Sequence, residues 1–425
     1  MRLGKHTLLI DGNYFVFSRL FVMPKPKSGK LLGDDKSRGQ FMRKLAIDFA
    51  SEMRKLKGVI DDVVVAVDSK SWRKDLYPEA DYKGTRKHDE SVDWDALYSL
   101  YGEFQDILAT KGVTVHQIQG AEADDVLFAW STMLNGRGKS CIVWTGDRDL
   151  IQLVNYSDAN DAHTLWYYNT KKSLYAYEGF LKDLEQSHTA DMSNDDILFN
   201  MSSKSSMRDQ YQDEIKAWIN HNNIQVSEVD CDQFILKKIL TGDRSDNIPS
   251  VVTWQKEMRN GKIRNYSITD KQADKIMDQF LRENDTFRID YLFSSASKDT
   301  IADIIYRVVG HSTPNLIKVN LSSNISLMLL HTKIIPDSIQ KAIYEKIDVD
   351  WEGAIDDINS ILDKDIILKG TKWLKSEAPT GFDPFEGMDV PKEKPGKMKL
   401  VDKRGSSKKT DTPEQPKTKK INNLF

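Results

Sequence analysis

The chain has 425 residues, of which 39% are hydrophobic and 29% charged, and its formal net charge is −3 at pH 7. That length predicts two or three domains, the composition is that of a globular chain, and no apolar run approaches a membrane span. Met1 to His6 pass straight into an apolar segment without a signal-peptide pattern. Cys141 falls inside a predicted buried strand, so Cys141 and Cys231 are read as reduced thiols of a cytoplasmic protein.

In chain order, strands are predicted near 6–11, 62–68, 112–117 and 140–145, with helices near 39–57, 93–110 and 122–134 between them. Phe41, Leu45, Ile47, Phe49, Met53 and Leu56 have roughly helical spacing. Such alternation predicts an α/β fold over residues 1–185, with a central, mostly parallel sheet flanked by helices. The basic loop from Pro24 to Arg38 either tracks a phosphate backbone or is a solvated turn. From 186 to 375 the strand signal fades and a helical second domain is expected. Phe234, Leu236, Ile239 and Leu240 read as one helix. Ser267 to Asp270 look like a capping box opening another, with Ala273, Ile276 and Phe280 inward. Residues 187–209 are polar and read as an insertion. Residues 376–425 are rich in proline and lysine, too polar to fold alone, and end on Ile421-Asn422-Asn423-Leu424-Phe425.

Four apolar segments end on acidic residues: Ile10-Asp11, Val67-Asp68, the Val113–Val115 run leading to Glu122-Ala123-Asp124-Asp125, and Trp144-Thr145-Gly146-Asp147-Arg148-Asp149. Parallel strands direct their carboxyl ends to one sheet edge, so these carboxylates are expected to converge. A lone strand-end aspartate reads equally well as a helix cap. Four such sites together exceed what capping requires. Clustered carboxylates oppose one another's ionisation and call for hard divalent cations, which act on phosphates. His88, His116 and His163 lack a metal-ligand spacing.

A further acidic motif, Gly242-Asp243-Arg244-Ser245-Asp246-Asn247-Ile248-Pro249, lies beyond these. In order, Leu9-Ile10-Asp11-Gly12, Val67-Asp68, Arg73, Tyr82-Lys83-Gly84-Thr85-Arg86, Glu122-Ala123-Asp124-Asp125, Thr145 to Asp149, and Gly242 to Pro249 resemble the 5′-nuclease (flap endonuclease) superfamily. The likeness is greatest to the ribonuclease H-type 5′→3′ exonucleases of T-even phages, and it spans roughly residues 7–250. It implies that Asp11, Asp68, Glu122, Asp124, Asp147 and Asp149 surround a catalytic metal, and that Asp125, Asp243 and Asp246 hold a second. The cofactor implied is two Mg²⁺, with Mn²⁺ as a substitute. Lys83 and Arg86 would contact the scissile phosphate, Tyr82 would stack on a frayed base, and Arg73 and Lys87 would join them on nucleic acid.

After Pro249 the sequence departs from the cellular members. Ser250 to Trp254 contain no glycine, and a basic stretch with Lys256, Arg259, Lys262 and Arg264 is expected to touch duplex instead. The tail residues Ile421, Leu424 and Phe425 read either as a sliding-clamp peptide or as a frayed end. The implied protein is a monomer that removes RNA primers and 5′ flaps in phage replication. Its partners would be branched or nicked DNA, RNA–DNA hybrid, a clamp and a single-stranded-DNA-binding protein, with no membrane. Two other readings compete: a haloacid-dehalogenase-type phosphatase, which needs an aspartate where Asn13 stands, and a non-catalytic factor binding branched DNA.

Overall fold

The computed structural model describes residues 5–26, 29–76, 81–85, 89–185, 205–350 and 358–375. Its central sheet begins with three parallel strands whose sequences are apolar on both faces: β1 (His6–Asp11), β2 (Ile60–Val67) and β4 (Cys141–Trp144). Strands buried on both sides lose the polar alternation of a half-exposed sheet, and Leu8, Leu9, Val63, Val64, Ile142 and Val143 are all fully buried. With β3 (Thr114–Gln117), β6 (Ala162–Tyr168), β7 (Ser173–Ala176) and β8 (Gln225–Glu228), the order is β3-β2-β1-β4-β6-β7-β8, and β5 (Asn155–Ser157) pairs with β6. Pairing is parallel except for β5 and β7 against β6, so the sheet is mixed and mostly parallel.

Helices α1 (Gly12–Leu20), α2 (Asp35–Leu56), α3 (Trp72–Leu76), α4 (Trp94–Ala109) and α5 (Ala123–Gly136) fill the connections. The core on one side of the sheet joins Phe15, Phe41, Phe49 and Phe104 to Ile10, Val65 and Trp144. The core on the other side joins Trp130, Val126 and Leu127 to Leu9, Val64 and Val143. The sheet recruits Gln225–Glu228, beyond residue 185, by pairing it with β7. A third core, around Leu236, Leu240, Ile276, Phe280, Ile305 and Leu321, belongs to the helices Cys231–Thr241, Asp270–Asn284, Ser295–Val309 and Pro314–Met328.

Two local readings change. The capping box of the helix Asp270–Asn284 uses Thr269 and Gln272, not Ser267 and Asp270; Thr269 Oγ1 accepts from Gln272 N at 3.3 Å. Residues 253–267, read as a basic stretch within a region expected to be helical, form an antiparallel hairpin of β9 (Thr253–Glu257) and β10 (Ile263–Ser267). Both cysteines are free. No helix among the described residues is long and apolar enough to cross a membrane. Of the insertion read at 187–209, residues 205–209 open the helix Ser205–His221, while 187–204 and the tail from 376 lie outside the described residues.

Two histidines carry one prediction. His6 is fully buried at the start of β1, with its Nε2 2.8 Å from that of His163. Burial, then the charges of His163 and Lys139, hold its pKa well below the ordinary value. The unfolded chain therefore binds a proton that the native one refuses, so stability falls as pH drops below the unfolded value of about 6.5. His6→Gln is expected to flatten that part of a stability-against-pH curve measured by urea denaturation. A slope identical to wild type between pH 7 and pH 5 would contradict it.

Candidate active site

Asp11 ends β1 and caps α1. Its Oδ1 accepts from Tyr14 N and its Oδ2 from Thr145 Oγ1, both at 2.9 Å. One oxygen thus caps the helix, as the cap reading expects, and the other faces the next strand end. Asp68 follows β2 directly. Its Oδ2 accepts from Asn13 Nδ2 at 2.8 Å, and its Oδ1 from Ala123 N at 2.7 Å, in the first turn of α5. Asp147 caps the 3₁₀ turn Arg148–Leu153 through Asp149 N at 2.9 Å, and Asp124 stands in the first turn of α5. Helix starts favour negative charge, which offsets part of the crowding.

Backbone approach is close here. A Cβ on Gly12 would lie 2.3 Å from Tyr101 Oη and 2.8 Å from Ala66 O. Only glycine lets Tyr101 reach Asn13 Oδ1, at 3.2 Å, and so hold the residue that holds Asp68. Burial and then the Asp68 carboxylate push Asp11 up to about 7. Burial and then Asp147 raise Asp124, and burial raises Asp147 against the pull of the Asp149 amide. Asp147 nevertheless keeps solvent contact, and Asp124 is half-buried. The charges of Asp11, Asp68, Asp124 and Asp147 are close enough to act on one another.

Behind this edge several of the expected side chains are paired with one another. Arg73, expected on nucleic acid, is 2% exposed. It donates to Glu122 Oε2 at 2.9 Å and to Asp125 Oδ1 at 3.0 Å, and its guanidinium lies over the Trp72 ring, 4.4 Å from the centroid. Asp125, expected to hold a second cation, is fully buried. Its carboxylate is occupied by Arg73, by Trp72 Nε1 at 3.0 Å and by Glu122 N at 3.1 Å. Tyr82, expected to stack on a base, is buried with its hydroxyl donating to Glu122 at 3.1 Å. Each change has one cause: a buried charge must be paired, and these groups pair with one another. Glu122 also takes the Lys83 ammonium. Burial opposes ionisation of Glu122, but Lys83 and Arg73 outweigh it and lower its pKa.

Asp149 and Asp243 meet at a lysine, Lys238, that no motif in the sequence marks. Lys238 Nζ lies 2.7 Å from Asp149 and 2.8 Å from Asp243. Burial and the neighbouring Asp147 push Asp149 up to about 7, whereas Lys238 and Ser245 hold Asp243 at about 2 against burial. Asp246 lies 3.9 Å from Lys83 Nζ. Lys238 sits just over one helical turn before Asp243, a signal readable only once the helix is known to end at Thr241. Gly242 follows at φ +74°, where a Cβ would lie 2.4 Å from Pro249, so the Asp243 turn requires it. Lys256, Arg259, Lys262 and Arg264 fall on the β9–β10 hairpin. Arg86, Lys87, Ile421, Leu424 and Phe425 lie outside the described residues.

Among the described residues, no three His, Cys, Asp or Glu side chains already surround one point as metal ligands. The chemistry of the donors nevertheless fits a hard divalent cation, because they are carboxylate oxygens whose mutual repulsion a cation would relieve. Asn13 and Asp68 are engaged with each other two residues after Asp11, so the dehalogenase arrangement, with a second aspartate there, is missing.

The fold and site define an α/β class with carboxylates massed where the parallel strands end. Residues 6–185 match the family model described as 5′-3′ exonuclease, N-terminal resolvase-like domain. DNA polymerase I of Rhizobium leguminosarum is 25% identical over 158 residues, which are 36% of this chain and 15% of the polymerase. The 5′-3′ exonuclease of Aquifex aeolicus is 28% identical over 151 residues, 36% of this chain and 48% of that protein. The chain thus spans about half or less of these relatives. Among solved structures, zinc-bound bacteriophage T5 5′-exonuclease aligns at a TM-score of 0.47 and 16% identity, covering 81% of this chain and 99% of the other. A T5 flap endonuclease complex with DNA and metal ions aligns at 0.42 and 16% identity, covering 81% and 100%.

Proposed function

We propose that this chain is a divalent-metal-dependent, structure-specific 5′→3′ nuclease that acts on 5′ flaps and on nicked or branched duplex. The observation that carries the reading is the group of four carboxylates, Asp11, Asp68, Asp124 and Asp147, at the ends of β1, β2 and β4 and the start of α5, with Asp11 and Asp124 both held towards their protonated forms by burial and by neighbouring carboxylates. A protein without a cation to bind gains nothing from that repulsion. The family match over residues 6–185 supports the same chemistry.

Asp11, Asp68, Asp124 and Asp147 would hold the metal, with Glu122 and Asp149 beside them. Asp243 and Asp246 would serve a second ion. Two Mg²⁺ are the proposed complement, with Mn²⁺ able to substitute. Bound divalent ions supply a hydroxide nucleophile and neutralise charge on the leaving oxygen. The protein's own part is positional. Asn13 and the Ala123 amide fix both oxygens of Asp68, and Thr145 fixes Asp11. Lys83 stands beside Glu122 with 15% of its side chain exposed, and would offer its ammonium to a phosphate. Burial lowers its pKa, but Glu122, Tyr82 and Asp246 raise it further, so it remains a cation at any working pH. The finer proposals are primer removal from RNA–DNA hybrid in phage replication, action in the host cytoplasm as a monomer, and partnership with a single-stranded-DNA-binding protein and with a clamp through Ile421, Leu424 and Phe425.

A 5′-labelled flap duplex incubated with Mg²⁺ is expected to yield short 5′ products, and none with EDTA. Tight binding without products would favour a non-catalytic branched-DNA factor. Independently, Mg²⁺ at a hundred times its Kd is expected to stabilise the fold by about 2.7 kcal/mol. An unchanged Tm at confirmed saturation would mean that the carboxylates do not share an ion.

A further inference from the structure

Every residue from Gln255 to Asn265 is exposed, so the outer part of the β9–β10 hairpin has neither face against the protein. An isolated two-stranded hairpin is marginally stable in water. This one is secured at its foot. Trp254 stacks on Tyr266, with ring centroids 5.8 Å apart and planes 12° apart, and on His311 at 4.6 Å and 13°. Val251, Val252 and Ile268 are buried in the helical core, and Ile268 N donates to Ser250 Oγ at 3.2 Å. A firm foot thus carries a projecting finger.

The register sorts the finger's charges. Trp254 pairs with Tyr266 and Lys256 with Arg264. Side chains alternate along a strand, so Trp254, Lys256, Met258, Lys262, Arg264 and Tyr266 share one face. The Tyr266 hydroxyl at 3.6 Å from Met258 Sδ agrees with this. The opposite face has Thr253, Gln255, Glu257, Ile263 and Asn265. Three cations lie on the first face, and a single anion is the only charge on the second. Lys256 and Arg264 stand directly opposite each other, an arrangement that destabilises a hairpin by like-charge repulsion. A solvated finger has no need of such segregation, whereas a polyanion lying along one face rewards it. A two-stranded ribbon also has the width that the major groove of DNA admits.

We propose that the hairpin is a one-faced finger for double-stranded DNA. Lys256, Lys262 and Arg264 lie against the phosphate backbones, Arg259 extends the contact at the tip, and the Tyr266–Trp254–His311 stack sets the finger's angle. The sequence already led to the expectation that these four basic residues touch duplex; the hairpin, its single binding face and the aromatic foot rest on register. The inference rests on the nucleic-acid reading above but not on cleavage.

The test is binding of a fluorescent 20-base-pair DNA duplex to the full chain in EDTA, by anisotropy across a KCl series. One variant removes two cations, Lys256→Gln with Arg264→Gln. A second adds Gln255→Lys and Asn265→Lys to these, which moves the two charges to the opposite face and restores the net charge. Both are expected to bind about tenfold or more weakly than wild type at 0.15 M salt, with the slope of log Kd against log salt reduced by about 2. Thermal melts should show both folded, with Tm no lower than wild type for the first. A face-swapped variant with wild-type affinity would overturn the proposal in favour of net charge alone. So would equal losses for a single-stranded 20-mer. Wild-type protein that binds duplex but does not cleave flaps would remove the nuclease reading and leave this result standing.

Discussion

Replacing Asp124 by Asn is expected to slow flap cleavage by about 10³-fold, on the order of 4 kcal/mol of activation free energy, while the metal-free protein melts at a higher temperature than wild type. The two effects share one origin. Among the described residues Asp124 has no hydrogen bond or ion pair to a partner, and burial and the Asp147 carboxylate raise its pKa. Its charge is therefore unfavourable in the native state at neutral pH, and removing it relieves the fold. The same charge is what a divalent cation would use, so its loss weakens the ion and the reaction together. Paired measurements decide it: single-turnover cleavage in Mg²⁺, and a thermal melt in EDTA. Near-normal turnover would remove Asp124 from the metal site. A lower Tm would mean that the carboxylate has a structural role instead.

Arg73→Met is expected to have the largest effect on stability, about 3–5 kcal/mol, read as a lowered urea midpoint. Arg73 is buried between Glu122 and Asp125, both themselves buried, and its loss leaves two carboxylates without their cation. Adding Asp125→Asn should recover part of the loss, because the orphaned charge is then gone. Lys74→Met, one residue further along and exposed, should lie within about 0.5 kcal/mol of wild type. If Arg73→Met instead folded with wild-type stability and lost DNA affinity alone, the guanidinium would be a surface contact and the buried network would be wrong.

The legible parts of the fold share a physical trait. β1, β2 and β4 are central strands covered on both faces, so their burial is written as short continuous apolar runs, Leu8–Ile10, Val63–Val67 and Cys141–Trp144. The strand ends were therefore readable, and with them the positions of Asp11, Asp68 and Asp147. β8, four residues reading Gln-Val-Ser-Glu at the sheet margin, is mostly exposed and carries no such run. Its place is set by pairing with Ser173–Ala176, some 50 residues earlier in the chain. The β9–β10 hairpin was hidden for a similar reason, since a finger exposed on both faces has no apolar alternation to reveal it.

The candidate site divides along the same line. Local sequence placed each carboxylate at the end of a strand or the start of a helix, because those positions follow from apolar runs and capping preferences within a few residues. Which carboxylates are paired with a basic side chain was decided by tertiary structure. Arg73 reaches Asp125 across 52 positions, and Lys83 reaches Glu122 across 39. Asp149 meets Lys238 from a different part of the chain altogether. Pairing of buried charge depends on distance in space, which falls off over a few ångström, and sequence spacing carries no record of it. The chain by itself therefore determined that acidic groups would crowd one sheet edge, and only the folded structure decided that Glu122 and Asp125 are neutralised by arginine and lysine while Asp11, Asp68, Asp124 and Asp147 face one another.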